Sequence, residues 1–240
     1  MCNFFMCSLR LSLLLVISVS IFGNLSAQEA VIKEYISVVG DYSSIFNGQI
    51  KADYSSLQYE NNPYYNSNEF VAGELILKNN LRYPNQRLRI DLYAEQLEIL
   101  TPHSHYGIIA DTRHLDRAIL GKETFVLLNP APKAGISAGF YELLSENSNL
   151  RLYKKERKKI FSQGLLIQFY SDIKYYVDYD GKYTQVKNKN SFNKLFPQHK
   201  QQINKFCKEM NLNFNTDNRK NALTLLADYC SKLISTEDAK

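Results

Sequence analysis

The stretch that decides the fold runs Tyr175-Tyr176-Val177-Asp178-Tyr179-Asp180-Gly181-Lys182-Tyr183-Thr184-Gln185-Val186. Its flanks are rich in aromatic and β-branched residues, which fit a pleated, half-buried surface. Asp180-Gly181 between them suits a type I′ turn, which needs positive φ at both central positions. The segment therefore reads as a β-hairpin, and it makes the sheet around it antiparallel.

The same pattern recurs upstream. Val71–Leu77, then Lys78-Asn79-Asn80, then Leu81–Tyr83 read as strand, turn, strand. Leu88, Ile90 and Leu92 alternate with Arg89 and Asp91, which marks a strand with one wet face. Leu97–Leu100, Ile108–Ala110, Arg117–Leu120, Thr124–Leu128, Phe140–Leu144 and Asn149–Tyr153 continue the series. Residues 55–69, Asn-rich with Pro63, read as a loop, and Asn47-Gly48 as a turn. Asn129–Gly139 is the clearest interior loop and a candidate hinge or boundary. Val31, Ile32, Tyr35 and Ile36 are spaced for a short helix.

Downstream the period changes from two to 3.6. Ser191 suits an N-cap and Pro197 a first helical position. Leu195, Phe196, Ile203, Phe206, Cys207 and Met210 share one helical face. A second helix from about Asp217 carries Ala222, Leu223, Leu226, Tyr229, Cys230 and Leu233 on its apolar stripe. The expected fold is α+β: an antiparallel β-meander, open sheet or partial barrel, closed by a C-terminal pair of helices over about 192–234. It would form a single β-rich domain over residues 28–240.

The first 27 residues read differently. Arg10 is their one charge, an apolar run spans Leu11–Phe22, and small residues lead to Ala27. That is the layout of a cleaved secretory signal peptide, too short in its apolar part to cross a bilayer. Cys2 and Cys7 would leave with it. Losing Arg10 leaves 28 basic against 24 acidic residues, a mild excess that does not argue for nucleic acid. The chain has no Trp but 17 Tyr and 13 Phe, which suits sheet surfaces.

Chemistry-bearing clusters are few. His103-Ser104-His105, with Asp111, His114 and Asp116, has the flavour of a metal site, and its default reading is a polar loop. Lys154, Lys155, Arg157, Lys158 and Lys159 could contact an anionic surface, either lipid phosphates or acidic glycans. Their default reading is a solvated strand end whose charges block edge pairing. Pro63-Tyr64-Tyr65 and Tyr175-Tyr176 could offer rings to a sugar, and alternation places one Tyr of the second pair inside in any case. No nucleophile elbow, phosphate loop or Cys-Xaa-Xaa-Cys pair is present, and no cofactor or metal is expected. Cys207 and Cys230 read as two buried thiols. A disulfide between them needs residues 211–216 to run extended so that the two positions draw level.

The stretches Ala72–Asn79, Leu88–Tyr93, Leu97–Leu100, Gly139–Leu144, Lys154–Lys159, Leu195-Phe196-Pro197 and Leu223–Tyr229 come in an order that resembles a family of secreted proteins of Bacteroidetes-type Gram-negative bacteria. The resemblance implies one coherent domain, exported to the periplasm or cell surface. It implies no activity and transfers no functional residues. The expected function is a non-enzymatic protein binding an envelope partner, protein or polymer, with no nucleic acid and no membrane span after signal removal. One alternative is an envelope-polymer hydrolase using His103, His105 or His114. Another is a lipid carrier with an apolar cavity under the helices.

Overall fold

The computed structural model describes residues 30–35, 38, 44–52, 54, 59–103, 105–131, 134–163 and 166–238. The expected signal peptide lies outside the described residues. Ten strands form one antiparallel sheet: β1 (Val71–Leu77), β2 (Arg82–Asp91), β3 (Gln96–Leu100), β4 (Gly107–Ile109), β5 (Leu115–Leu120), β6 (Glu123–Leu128), β7 (Gly139–Glu146), β8 (Leu150–Gln163), β9 (Leu166–Tyr179) and β10 (Lys182–Val186). Three helices follow, α1 (Lys189–Leu195), α2 (Lys200–Glu209) and α3 (Arg219–Asp238), with a 3₁₀ turn at Pro197–His199. The fold class is α+β, as the hydrophobic periods imply.

The strand order is β10-β9-β8-β7-β6-β5-β1-β2-β3-β4. Two meanders, β1–β4 and β5–β10, meet where β1 pairs with β5. The Asp180-Gly181 turn has φ of 53° and 72°, so both residues adopt the conformation that the type I′ hairpin demands. β6 and β7 pair directly from Thr124↔Leu143 to Leu128↔Gly139. The loop after β6 therefore joins neighbouring strands of one sheet.

β8 and β9 form the longest hairpin, in unbroken register from Leu150↔Tyr179 to Gln163↔Leu166. The apolar alternation in β8 ends at Tyr153, where the basic run begins. The run is strand throughout, for a reason given below.

The sheet is open but curled. Lys158 N–H donates to Leu92 O across 3.0 Å, so the far half of β8 returns to the β2–β3 turn. One core cluster spans the first meander and the neighbouring β5–β7, with Leu88, Ile90, Leu97, Ile99, Ala118, Leu120 and Phe125 at its centre. A second lies under the helices, where Leu150, Leu152, Val177 and Val186 meet Phe192, Phe196, Ile203, Leu223 and Leu226. A third is built of Tyr141, Tyr153 and Tyr176 on the opposite face.

The helix start is set one turn earlier than Ser191. Asn188 caps α1, its side chain accepting from Asn190 N–H, while Ser191 Oγ accepts from Lys187 N–H. Met210 shares the apolar face by spacing, yet it is exposed at the C-cap of α2, where the helix ends. Among the described residues no helix is long and apolar enough to cross a membrane.

Candidate functional site

The described parts of an N-terminal strap, residues 48–52, 54 and 59–65, lie against the first meander and bring buried charge with them. Lys51 N–H donates to Gly107 O and Ile109 N–H to Gln49 O, so residues 49–51 cover the edge of β4. Gly48 permits this approach, since a Cβ there would fall 1.9 Å from Ile109 O. Further along, Leu92 N–H donates to Pro63 O and Tyr65 N–H to Ile90 O, which ties the strap to β2.

Beneath the strap lie side chains from the face of β2 and β3 that alternation marked as wet. Register pairs Arg89 with Glu98 and Asp91 with Gln96. Glu98 Oε2 accepts from Arg89 Nη2 at 2.7 Å and Nε at 3.1 Å. The Arg89 guanidinium also lies 3.8 Å from the Tyr64 ring centroid and 4.2 Å from that of Phe70. Asp91 Oδ2 accepts from Lys51 Nζ at 2.9 Å and Tyr54 O–H at 2.8 Å. Its Oδ1 accepts from the backbone N–H groups of Tyr93 (2.9 Å) and Ala94 (2.8 Å). Lys51 Nζ also donates to Gln96 Oε1 and stands 3.7 Å from Glu98 Oε1. Both carboxylate side chains are wholly buried, and Glu98 Oε1 makes no hydrogen bond among the described residues. Burial pushes the Glu98 carboxyl above its usual range against the pull of Arg89 and Lys51. Burial, then the bond to Asp91, pushes the Tyr54 phenol up as well.

The basic run of β8 is not one basic surface. Alternation sends Lys154 and Lys158 to one face and Lys155, Arg157 and Lys159 to the other. Lys154 pairs with Glu156 at 2.7 Å and Glu142 at 3.3 Å, and Lys220 closes on the same Glu142. Lys155 is buried against Glu95, with its ammonium 4.7 Å from the Tyr141 ring centroid. Burial lowers its pKa despite that carboxylate. Lys158 Nζ donates to Tyr64 O at 2.8 Å and to Asn62 O at 2.6 Å. Arg157 and Lys159 are the exposed members, facing Glu95 at 3.4 Å and Asp172 at 2.7 Å. These partners keep a strongly charged strand inside the sheet, and they leave the anionic-surface expectation without a continuous patch of cations.

The histidines do not converge on a cleft. His103 and His105 are exposed in the β3–β4 turn, where His105 Nδ1 lies 2.9 Å from His103 O. His114 is exposed in the β4–β5 connection. Among the described residues no three His, Cys, Asp or Glu side chains are grouped to hold a metal. Cys207 and Cys230 are free, buried thiols. Burial, with Cys207 adding to it, pushes the Cys230 thiol up to about 12. Phe206 and Tyr229, one position before each Cys, stack at 4.0 Å, so α2 and α3 draw level there without a disulfide.

A surface cleft of about 430 Å³ opens at the turn end of β7–β10. The Asn147–Asn149 and Asp180-Gly181 turns border it, together with Arg151, Asp178 and Ile234. Asp178 is buried, its Oδ1 has no hydrogen bond among the described residues, and its Oδ2 lies 3.9 Å from a half-exposed Arg151. No family model, curated protein or solved structure matches this chain.

Sequence reasoning passed over Lys51, Tyr54 and Glu98. The signal available was charge of opposite sign at Arg89 and Glu98 in adjacent strands, which antiparallel pairing sets side by side.

Proposed function

We propose that this chain is an exported, non-enzymatic binding protein that holds an envelope partner, a protein or a polymer, at the turn end of its sheet. The observation that carries the reading is the polar cleft between the two turns. It sets the half-exposed donor fork of Arg151 beside the buried carboxylate of Asp178. Such groups orient a ligand when a pocket is otherwise preformed. The leader pattern of residues 1–27 and the resemblance to exported Gram-negative proteins support the compartment. The scatter of His103, His105 and His114 over two exposed turns weighs against the hydrolase alternative. The filled layer between helices and sheet weighs against the lipid carrier.

The test is affinity purification of the tagged full chain from its own envelope, with proteins, glycans and lipids all identified. A specific companion should be recovered with the native chain and lost with Arg151→Ala. Recovery of no companion, or the same one with both, refutes the reading.

A further inference from the structure

We propose that Lys51 and Asp91 condense to an intramolecular amide, with Glu98 as the base, so that the strap is joined covalently to β2. The two groups are 40 positions apart in the chain, and Nζ donates to Asp91 Oδ2 at 2.9 Å, which holds the amine beside the carboxyl it would attack. The side chains of Lys51, Asp91 and Glu98 are at most 11 % exposed, so water does not compete for the amine or the acid.

Each part of an acyl transfer is in place. Glu98 Oε1, a carboxylate oxygen without a hydrogen bond among the described residues, faces the ammonium at 3.7 Å and can take its proton. Arg89 holds the other oxygen and fixes the carboxylate's orientation. The Tyr93 and Ala94 N–H groups converge on Asp91 Oδ1, where negative charge develops as Nζ adds to Cγ. The Tyr54 O–H donates to Oδ2, the oxygen that leaves. Its raised pKa keeps that proton on the phenol, so the hydrogen bond to the departing oxygen is held throughout.

The balance needs no co-reactant. Lys51 ammonium and Asp91 carboxylate give the amide and one water. The Nζ–Cγ bond forms and the Cγ–Oδ2 bond breaks. Two protons leave nitrogen and end on the departing oxygen, one of them by way of Glu98. The raised carboxyl pKa of Glu98 suits a group that must hold that proton briefly. The chemistry belongs to the buried clamp and is independent of the cleft at the other end.

Intact-mass measurement of the purified full chain, under denaturing conditions, tests it. The native protein should be lighter by one water, about 18 Da, than the sequence mass of the chain as purified, and proteolysis should yield a branched peptide joining Lys51 to Asp91. Lys51→Arg should restore the full mass. Glu98→Gln should form the bond about 100-fold more slowly. A native chain at full mass overturns the proposal, whatever the variants do. A loss of ammonia mapping to Gln96, or a water loss that survives Lys51→Arg, overturns it too. Unchanged kinetics in Glu98→Gln would remove Glu98 as the base.

Discussion

Under the C-terminal helices, Leu150, Leu152, Val177 and Val186 meet Phe192, Leu223 and Leu226 as an apolar layer, whereas under the N-terminal strap Lys51 and Arg89 meet Asp91 and Glu98. Both arrangements cover a face of the same sheet. The first is non-directional, so its strength grows with buried area. The second is directional, and each charge is tolerated only because a partner of opposite sign is fixed beside it. The comparison teaches that burial in this molecule is carried by two chemistries, which should fail differently.

The largest effect is expected in the apolar layer. Phe192 is fully buried on α1, and Phe192→Ala should cost about 4 kcal/mol of unfolding free energy in denaturant titration. A cost under about 1 kcal/mol would mean that the helices contribute little to the sheet they cover. The charged side is probed at Glu95, which faces buried Lys155. Glu95→Gln should cost about 3 kcal/mol, because it leaves an ammonium buried without its carboxylate. Adding Lys155→Met should recover most of that loss. If the double variant is as unstable as the single, the ion pair is not the source.

A smaller, pH-dependent effect sharpens the contrast. Burial raises the Glu156 carboxyl, but Lys154 overrides it and holds the pKa below the ordinary 4.5. A carboxylate with a lowered folded-state pKa stabilises above its unfolded value, and that contribution is lost as pH falls through the folded value. Glu156→Gln should therefore cost about 2 kcal/mol at neutral pH. The gap to the native chain should narrow as pH falls below 4.5, while the gap for Phe192→Ala stays open. A Glu156→Gln penalty independent of pH would break the argument. Least of all, Asn188→Ala should cost about 1 kcal/mol by removing the α1 cap, read as a shift in the denaturation midpoint.

How much of this was legible beforehand differs by region. The β9–β10 hairpin was readable because Asp180-Gly181 is a local constraint with one good backbone solution. The helices were readable from a 3.6-residue apolar period, although the choice between Ser191 and Asn188 as cap was not, since both side chains can accept a backbone N–H. The far half of β8–β9 was missed because Lys154–Lys159 has the composition of a solvated surface. Only the identity of the facing residues, Glu142, Glu95, Asp172 and the carbonyls of Asn62 and Tyr64, makes it a strand inside the sheet. The histidines were legible as residues but not as a site, because two turns on separate connections present them to solvent.

By itself the sequence determined the antiparallel sheet, the change of period near residue 190 and the faces that seek a core, because alternation, turn residues and helical spacing are local properties. The tertiary structure alone decided which charges are buried. Alternation states which residues share a face, but not that a strap some forty positions earlier will cover it. Lys51 and Asp91 meet only because the curled sheet and the β2–β3 turn place an acceptor where the strap arrives. That meeting depends on contacts between segments remote in the chain, which no local period encodes.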